Sequence, residues 1–301
     1  MKLVISASPH IDSGATTRKI MGDVLIALCP ALIAAIVIFG WRALLVTAVC
    51  AAACVFFEWG FEWLCHKEST IGDLSAVVTG VILAYNLPVS IPLWQAVFGC
   101  LVSIVAVKQL FGGIGKNFAN PALVGRIVLF LSFSKTMTAW VFPDAVSSAT
   151  PLAQLAAGQK PELLTLLLGS HGGCIGETCA LALLLGGAYL LGRGVITWQT
   201  PVCFVGTVFV LSLVLGQDAL RQVLSGGLLL GAFFMATDYV TAPQTYWGRA
   251  LFGIGAGLLT CLIRFYGSYA EGVSFAILFM NILTPYLSRC CLLYTSDAAD
   301  E

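Results

Sequence analysis

Ten apolar runs succeed one another along this chain, at about 23–40, 43–64, 73–87, 93–111, 120–133, 177–192, 200–216, 222–236, 247–266 and 270–287. A helix that crosses the hydrocarbon core of a bilayer takes about 20 predominantly apolar residues, so the pattern predicts an all-α polytopic membrane protein of about ten transmembrane helices. The runs near 73–87, 120–133 and 222–236 fall short of a full crossing. Short, Gly- or Pro-interrupted segments in a membrane mark broken or protein-buried helices. Charge agrees with this reading: 10% of the 301 residues are charged and 59% are hydrophobic, whereas a soluble domain carries roughly a quarter charged residues. A soluble enzyme and a disordered chain are excluded. Lys+Arg and Asp+Glu number 15 each, so the basic excess that nucleic acid requires is missing.

The polar segments orient the runs. Residues 1–22 hold Ser8, His10, Asp12, Ser13, Arg18 and Lys19 ahead of any long apolar run, unlike a cleavable signal peptide, and read as a cytoplasmic N-terminal segment. With that end inside, Lys2, Arg18, Lys19, Lys67, Lys108, Lys116, Arg126, Arg193, Arg249 and Arg289 fall on the cytoplasmic side, and Arg42, Lys135, Lys160, Arg221 and Arg264 outside. That inward bias fits the positive-inside rule and puts both termini in the cytoplasm. The expected division is a first five-helix half at 23–133, an extracytoplasmic loop at 134–176, and a second five-helix half at 177–290. Leu74-Ser75-Ala76-Val77-Val78-Thr79-Gly80 in the third run resembles Leu224-Ser225-Gly226-Gly227-Leu228-Leu229-Leu230-Gly231 in the eighth, the same rank in each set of five. An odd number of spans per half inverts one half against the other, so the expectation is two inverted repeats, similar to urea-transporter architecture. Residues 291–301 break with the composition before them and read as a translated sequencing-adapter artefact.

Ionisable residues in apolar runs are costly and therefore functional candidates. Glu58 and Glu62, four apart on one helix face, sit among Trp59, Trp63 and His66. The plain reading is an interfacial helix end, and cation transfer is the sharper one. Asp23, Glu177 and Asp238 stand at run ends as caps or as the lining of an ion path. Lys108, Arg126 and Arg264 are expected to snorkel or to pair with carboxylates. Cys29, Cys50, Cys54, Cys100, Cys203 and Cys261 lie inside apolar runs as small hydrophobes. Neither Cys174 and Cys179 nor the scattered His10, His66 and His171 have metal-ligand spacing. Gly112-Gly113-Ile114-Gly115 lacks the Lys-Ser/Thr of a phosphate loop and predicts a tight helix-breaking turn.

The segment Asp144-Ala145-Val146-Ser147-Ser148-Ala149-Thr150-Pro151-Leu152 is, on spacing alone, a Ser/Thr-rich turn. It resembles the flavinylation motif of the RnfD and NqrB subunits of ion-pumping respiratory complexes, Asp-Gly-x-Ser/Thr-Gly-Ala-Thr. The resemblance implies covalent FMN, its phosphate esterified to Thr150, with Ala149, Ser148 and Ser147 as motif neighbours and Asp144 at the motif's head. Ala145 and Ser148 replace the family's glycines, a strain cost wherever φ > 0 is required. Ser13-Gly14-Ala15-Thr16 matches the four-residue core better, but it lacks the preceding Asp and the following Pro-Leu and falls on the cytoplasmic side. The family's flavin transferase acts outside the cytoplasm.

Further resemblance to RnfD runs in order along the chain: Ser8-Pro9-His10-Ile11 with Lys19-Ile20-Met21-Gly22-Asp23; Thr79-Gly80 with Asn86-Leu87-Pro88; Gly112 to Ala122; Gly176-Glu177-Thr178; and Phe234-Met235-Ala236-Thr237-Asp238 with Thr241-Ala242-Pro243. Asn117 and Asn120, beside Pro121, are assigned to backbone groups freed at a helix break, ahead of contact with a flavin or ion. The resemblance implies a multi-pass subunit, in a prokaryotic plasma membrane, of an ion-translocating ferredoxin:NAD+ oxidoreductase, relaying electrons through covalent FMN and coupled to Na+ or H+ export. It implies partners too: flavin-bearing, iron–sulfur and nucleotide-binding subunits, the flavin transferase and membrane lipid. The resemblance leaves open a second, noncovalent flavin in the membrane part, without a residue to identify it. The alternatives are an NqrB-like subunit of a Na+-translocating NADH:quinone reductase and a urea-transporter-like channel without flavin.

Overall fold

A computed structural model describes residues 16–67, 69–140, 149–267 and 272–297, with side chains through residue 289. Among the described residues every regular element is helical. In chain order these are α1 (Thr17–Phe39), α2 (Trp41–Leu64), α3 (Ser75–Tyr85), α4 (Leu93–Leu101), α5 (Pro121–Ser132), α6 (Ser134–Met137), α7 (Pro151–Ala156), α8 (Leu163–Leu168), α9 (Ala180–Gly192), α10 (Gln199–Val214), α11 (Ala219–Leu224), α12 (Leu228–Leu230), α13 (Tyr246–Tyr266) and α14 (Val273–Asp297). Two π-helical segments continue α4 and α12, π1 (Val102–Gln109) and π2 (Gly231–Met235), and a 3-10 turn, Ile71–Asp73, precedes α3. Each of the ten apolar runs falls on helix, the eighth on the interrupted series α11, α12 and π2. Among the described residues three helices, α1, α2 and α13, are long and apolar enough to cross a membrane by length and composition. With six shorter apolar helices around them, the chain is a helical membrane protein.

Sequence explains the breaks. Asn120 accepts the Ala122 amide at 3.1 Å and Pro121 occupies the first turn of α5, where a missing N–H costs nothing. Gly112, Gly113 and Gly115 have φ of +117°, +92° and +86° between π1 and α5, the tight turn expected of them. After α3 the chain unwinds through Asn86–Pro88. The freed carbonyls of Tyr85 and Leu87 accept the amides of Gly176 and Ile175, each at 3.0 Å, and Arg42 donates to the Val89 carbonyl at 2.9 Å. A Cβ on Gly176 would lie 2.3 Å from the Tyr85 ring, so this approach requires glycine. Residues 171–178 are buried. The last part of the 134–176 connection therefore folds into the core, rather than lying wholly on the surface as a loop.

The helices contact one another in matching sets. α2 rests on α3 and α4, and α10 on α11 and α13; α1 meets α9, and α5 meets α14. Close crossings use small residues, as membrane interfaces do: a Cβ on Gly80 would stand 2.7 Å from the backbone of Ala51 in α2.

Candidate functional site

Thr150 stands at the N-cap of α7, half-buried, with its hydroxyl accepting the Ala153 amide at 3.3 Å. Ala149 beside it is exposed, and its carbonyl accepts the Gln154 side-chain amide at 3.0 Å. Asp144, Ser147 and Ser148 lie outside the described residues, as do Ser13, Gly14 and Ala15. Thr16, the last residue of the rival tetrapeptide, caps α1 by accepting the Lys19 amide at 3.3 Å. Both threonines therefore begin helices, Thr16 a long one at the membrane and Thr150 a six-residue helix.

The dispersed motifs meet elsewhere. Thr79 from α3, Asn117 and Asn120 from the turn before α5, and Phe234, Thr237 and Asp238 from the end of π2 line one cleft of about 120 Å³. Ile20 and Val24 of α1 and Leu190 of α9 complete an otherwise apolar wall. That lining, apolar with a few convergent polar groups, is of the kind that receives a small organic ligand. Asn120 also donates to the Met235 carbonyl at 3.4 Å, and Asn117 to the Ala119 carbonyl at 3.0 Å. The asparagines hold the helix break, as the sequence suggested, and line the cleft as well. Asp238 accepts the Thr241 hydroxyl at 3.0 Å and the Val240 amide at 3.4 Å, fixing the turn that closes one side. The Tyr239 hydroxyl reaches the Val195 carbonyl across it.

A polar network backs this cleft. Glu58 is 0% exposed and Glu62 3%, whereas Trp59 and Trp63 on the same helix are 50% and 69% exposed. The tryptophans mark the lipid-facing side, and the carboxylates point inward rather than forming an exposed helix end. Lys108, 3% exposed, donates to Glu58 Oε1 at 2.7 Å and Oε2 at 3.0 Å and to Ser75 Oγ at 2.5 Å. Gln109 donates to Glu58 at 3.0 Å, and the Thr70 hydroxyl spans Glu58 and Glu62. Lys108 and Ser75 both line the cleft. The expected pairing of Lys108 with a carboxylate is present; Ser75, the other partner of Lys108, and Thr70 and Gln109, the other partners of Glu58, escaped the sequence, since ordinary polar residues far apart carry no local signal.

The other ionisable candidates are held structurally. Asp23 pairs with Arg193 at 3.2 Å and accepts the Tyr189 hydroxyl, tying α1 to α9. Glu177 accepts the Cys174 amide at 3.1 Å. Arg126 donates to the Ser274 hydroxyl and lies 3.7 Å from Cys174 Sγ, while Arg264 donates to the carbonyls of Gln222 at 2.7 Å and Ser225 at 3.0 Å. Among the described residues no group of three or more His, Cys, Asp and Glu could hold a metal ion. At the head of α11, desolvation alone would raise the Asp218 carboxyl, but the Arg221 amide and guanidinium, with Lys160, outweigh it and hold it below the usual range.

A family model described as the NQR2, RnfD, RnfE family matches residues 4–293. The chain is 46% identical over 297 residues to a subunit of the Na(+)-translocating ferredoxin:NAD(+) oxidoreductase complex of Acetobacterium woodii, covering 96% of this chain and 93% of that relative. It is 40% identical over 308 residues to the corresponding subunit of the proton-translocating ferredoxin:NAD(+) oxidoreductase complex of Clostridium ljungdahlii, covering 95% and 93%. To the corresponding subunit of the ion-translocating oxidoreductase complex of Halorhodospira halophila it is 36% identical over 333 residues, covering 94% and 92%.

Proposed function

The chain belongs to the NQR2, RnfD, RnfE family, and from that premise we propose that it is the RnfD-type subunit of an ion-translocating ferredoxin:NAD+ oxidoreductase complex, a flavin-bearing electron relay coupled to Na+ or H+ export. The observation that carries the proposal is the convergence of motif residues more than a hundred positions apart on one cleft, within a chain similar over nearly its whole length to subunits of such complexes. The matched contacts of α2 with α3 and α4, and of α10 with α11 and α13, support two inverted five-helix halves, 23–133 and 177–290. Both termini are assigned to the cytoplasm and Thr150 to the exterior.

Two flavin positions follow. Thr150 has the chemistry for covalent FMN: a half-buried hydroxyl at a helix start, where the Ala153 amide faces the oxygen to be esterified. An anionic phosphate is electrostatically at home beside such an amide. The cleft suits a noncovalent flavin, because Ile20, Val24 and Leu190 offer an apolar wall for a ring while Thr79, Asn117 and Thr237 can meet its polar edge. Among its described lining residues the charged ones, Lys108 and Asp238, are opposite in sign, so no excess of positive charge is there for a phosphate. A bound flavin supplies one- and two-electron chemistry; the protein supplies position, electrostatics and exclusion of water.

The test is to express the chain with its flavin transferase and compare wild type, Thr150→Ser and Thr150→Val by in-gel flavin fluorescence after denaturation. Fluorescence in wild type and its loss in Thr150→Val is the expected result. Fluorescence persisting in Thr150→Val would overturn the attachment site, and its absence from transferase-treated wild type would favour a channel without flavin.

A further inference from the structure

We propose that Lys108, anchored by Glu58, is the positioning residue that sets how readily a ring bound in the cleft accepts an electron. The inference rests on the reading of the cleft as a flavin site. Lys108 and Asp238 are the charged residues among the described lining of the cleft, and Lys108 is 3% exposed. Its ammonium contacts are with Glu58 Oε1, Glu58 Oε2 and Ser75 Oγ. Those three contacts match the three N–H groups of an ammonium. Lys108 therefore acts on the cleft through its field rather than by a hydrogen bond to the ligand. Glu58 is also held by Gln109 and Thr70, so the pair is fixed in place before any ligand arrives.

With a ring bound here, one electron from a reduced flavin or iron–sulfur partner would oxidise that partner by one and add one negative charge to the cleft, with no proton required from Lys108. The nearby positive charge favours that reduced state. Glu58 does not line the cleft; it lies behind Lys108 and opposes the effect. In a buried, low-dielectric setting such a charge acts more strongly than it does in water. The position belongs to π1, whose i→i+5 bonding is seen in the Leu110 amide to the Val105 carbonyl at 3.0 Å. π-turns recur at functional sites.

The experiment uses the full chain purified in detergent, with acid-extractable flavin quantified first. Its reduced-to-oxidised ratio is then read against redox dyes at one fixed potential. In Lys108→Met the ratio is expected to fall about tenfold, and in Glu58→Gln to rise about tenfold. Lys108→Arg should stay nearest wild type, and Lys108→Met/Glu58→Gln should fall between the single variants, which also covers the case in which Lys108→Met alone fails to fold. Structural damage would move the single variants in the same direction, whereas opposite shifts require a charge effect. Shifts of the same sign, or none, in chain that carries extractable flavin overturn the role of Lys108 and leave the cleft as a flavin site. Absence of extractable flavin from the wild type overturns the cleft reading and this proposal with it.

Discussion

Replacing Lys108 by Met removes one charge from a pair that the fold has already taken out of water. Glu58 is 0% exposed and Lys108 3%, with 2.7 Å between Nζ and Oε1. Breaking a buried pair by deleting one partner costs about 3–5 kcal/mol, because the remaining charge keeps its desolvation penalty without compensation. Here Gln109 and Thr70 still donate to Glu58, which points to the lower end, about 3 kcal/mol. For a chain of this size that corresponds to an apparent melting temperature lower by about 5 °C. Adding Glu58→Gln removes the stranded carboxylate, so the double variant should recover about 2 kcal/mol of the loss. Thermal unfolding of detergent-purified protein, followed by size-exclusion chromatography at one scan rate, measures both. A double variant no more stable than Lys108→Met would refute the reasoning, since the cost would then come from lost shape rather than an uncompensated charge.

Two further outcomes follow from other sites. Gly80→Val puts a side chain where a Cβ already meets the Ala51 backbone at 2.7 Å. It should part α2 from α3 at a cost of about 1–3 kcal/mol, seen as a lower melting temperature. At the head of α11, Asp218 caps the helix and pairs with Arg221, and its carboxyl is held below the usual range. A lowered folded-state pKa means the stabilisation is complete above the ordinary carboxylate value of about 4 and is lost as pH falls through the lowered one. Asp218→Asn should remove that acid-side loss from a stability-against-pH series while keeping a cap, whereas Asp218→Ala should also lose about 1 kcal/mol of capping.

The helical architecture was legible because hydrophobic run length reports a membrane segment directly. Ten runs, including the short ones at 73–87 and 222–236, correspond to helix or interrupted helix. The turn glycines Gly112, Gly113 and Gly115 were legible for a different reason: their positive φ is a local requirement. Glu58 was only half legible. Spacing of four gives Glu58 and Glu62 a common face, but Trp59 and Trp63 suggested an interface for the whole turn. The inward direction depends on Lys108, fifty residues away. The burial of residues 171–178 was hidden because the sequence places 171–176 in an extracytoplasmic loop, whereas Gly176 is fitted to the Tyr85 ring, a contact ninety-one residues distant in the chain. The π-turns have no sequence signature, and they help to form the cleft.

The proposed sidedness rests on which groups share an end of the bundle, and α13 gives the scale. Arg249 near its start bonds Thr197, adjacent to Ile196 of the cleft wall. Arg264 near its end lies by Gly226 and Leu152, two residues from Thr150. Fifteen residues at 1.5 Å per residue separate the two arginines by about 22 Å, and the whole helix is about 30 Å long, the thickness of a hydrocarbon core. The turn after π1 and the loop after α7 should therefore face opposite compartments. Lys116 and Gln159 are exposed reporters on those two segments, and the exposed Cys65 shares the first end because Lys67 donates to the Gln109 carbonyl at 3.4 Å. In a Cys65→Ser background, a membrane-impermeant maleimide applied to intact cells should label Gln159→Cys and leave Lys116→Cys unlabelled until the cells are opened. Labelling of both from outside, or of Lys116→Cys alone, would overturn the proposed topology, and with it the placement of Thr150 within reach of an extracytoplasmic transferase.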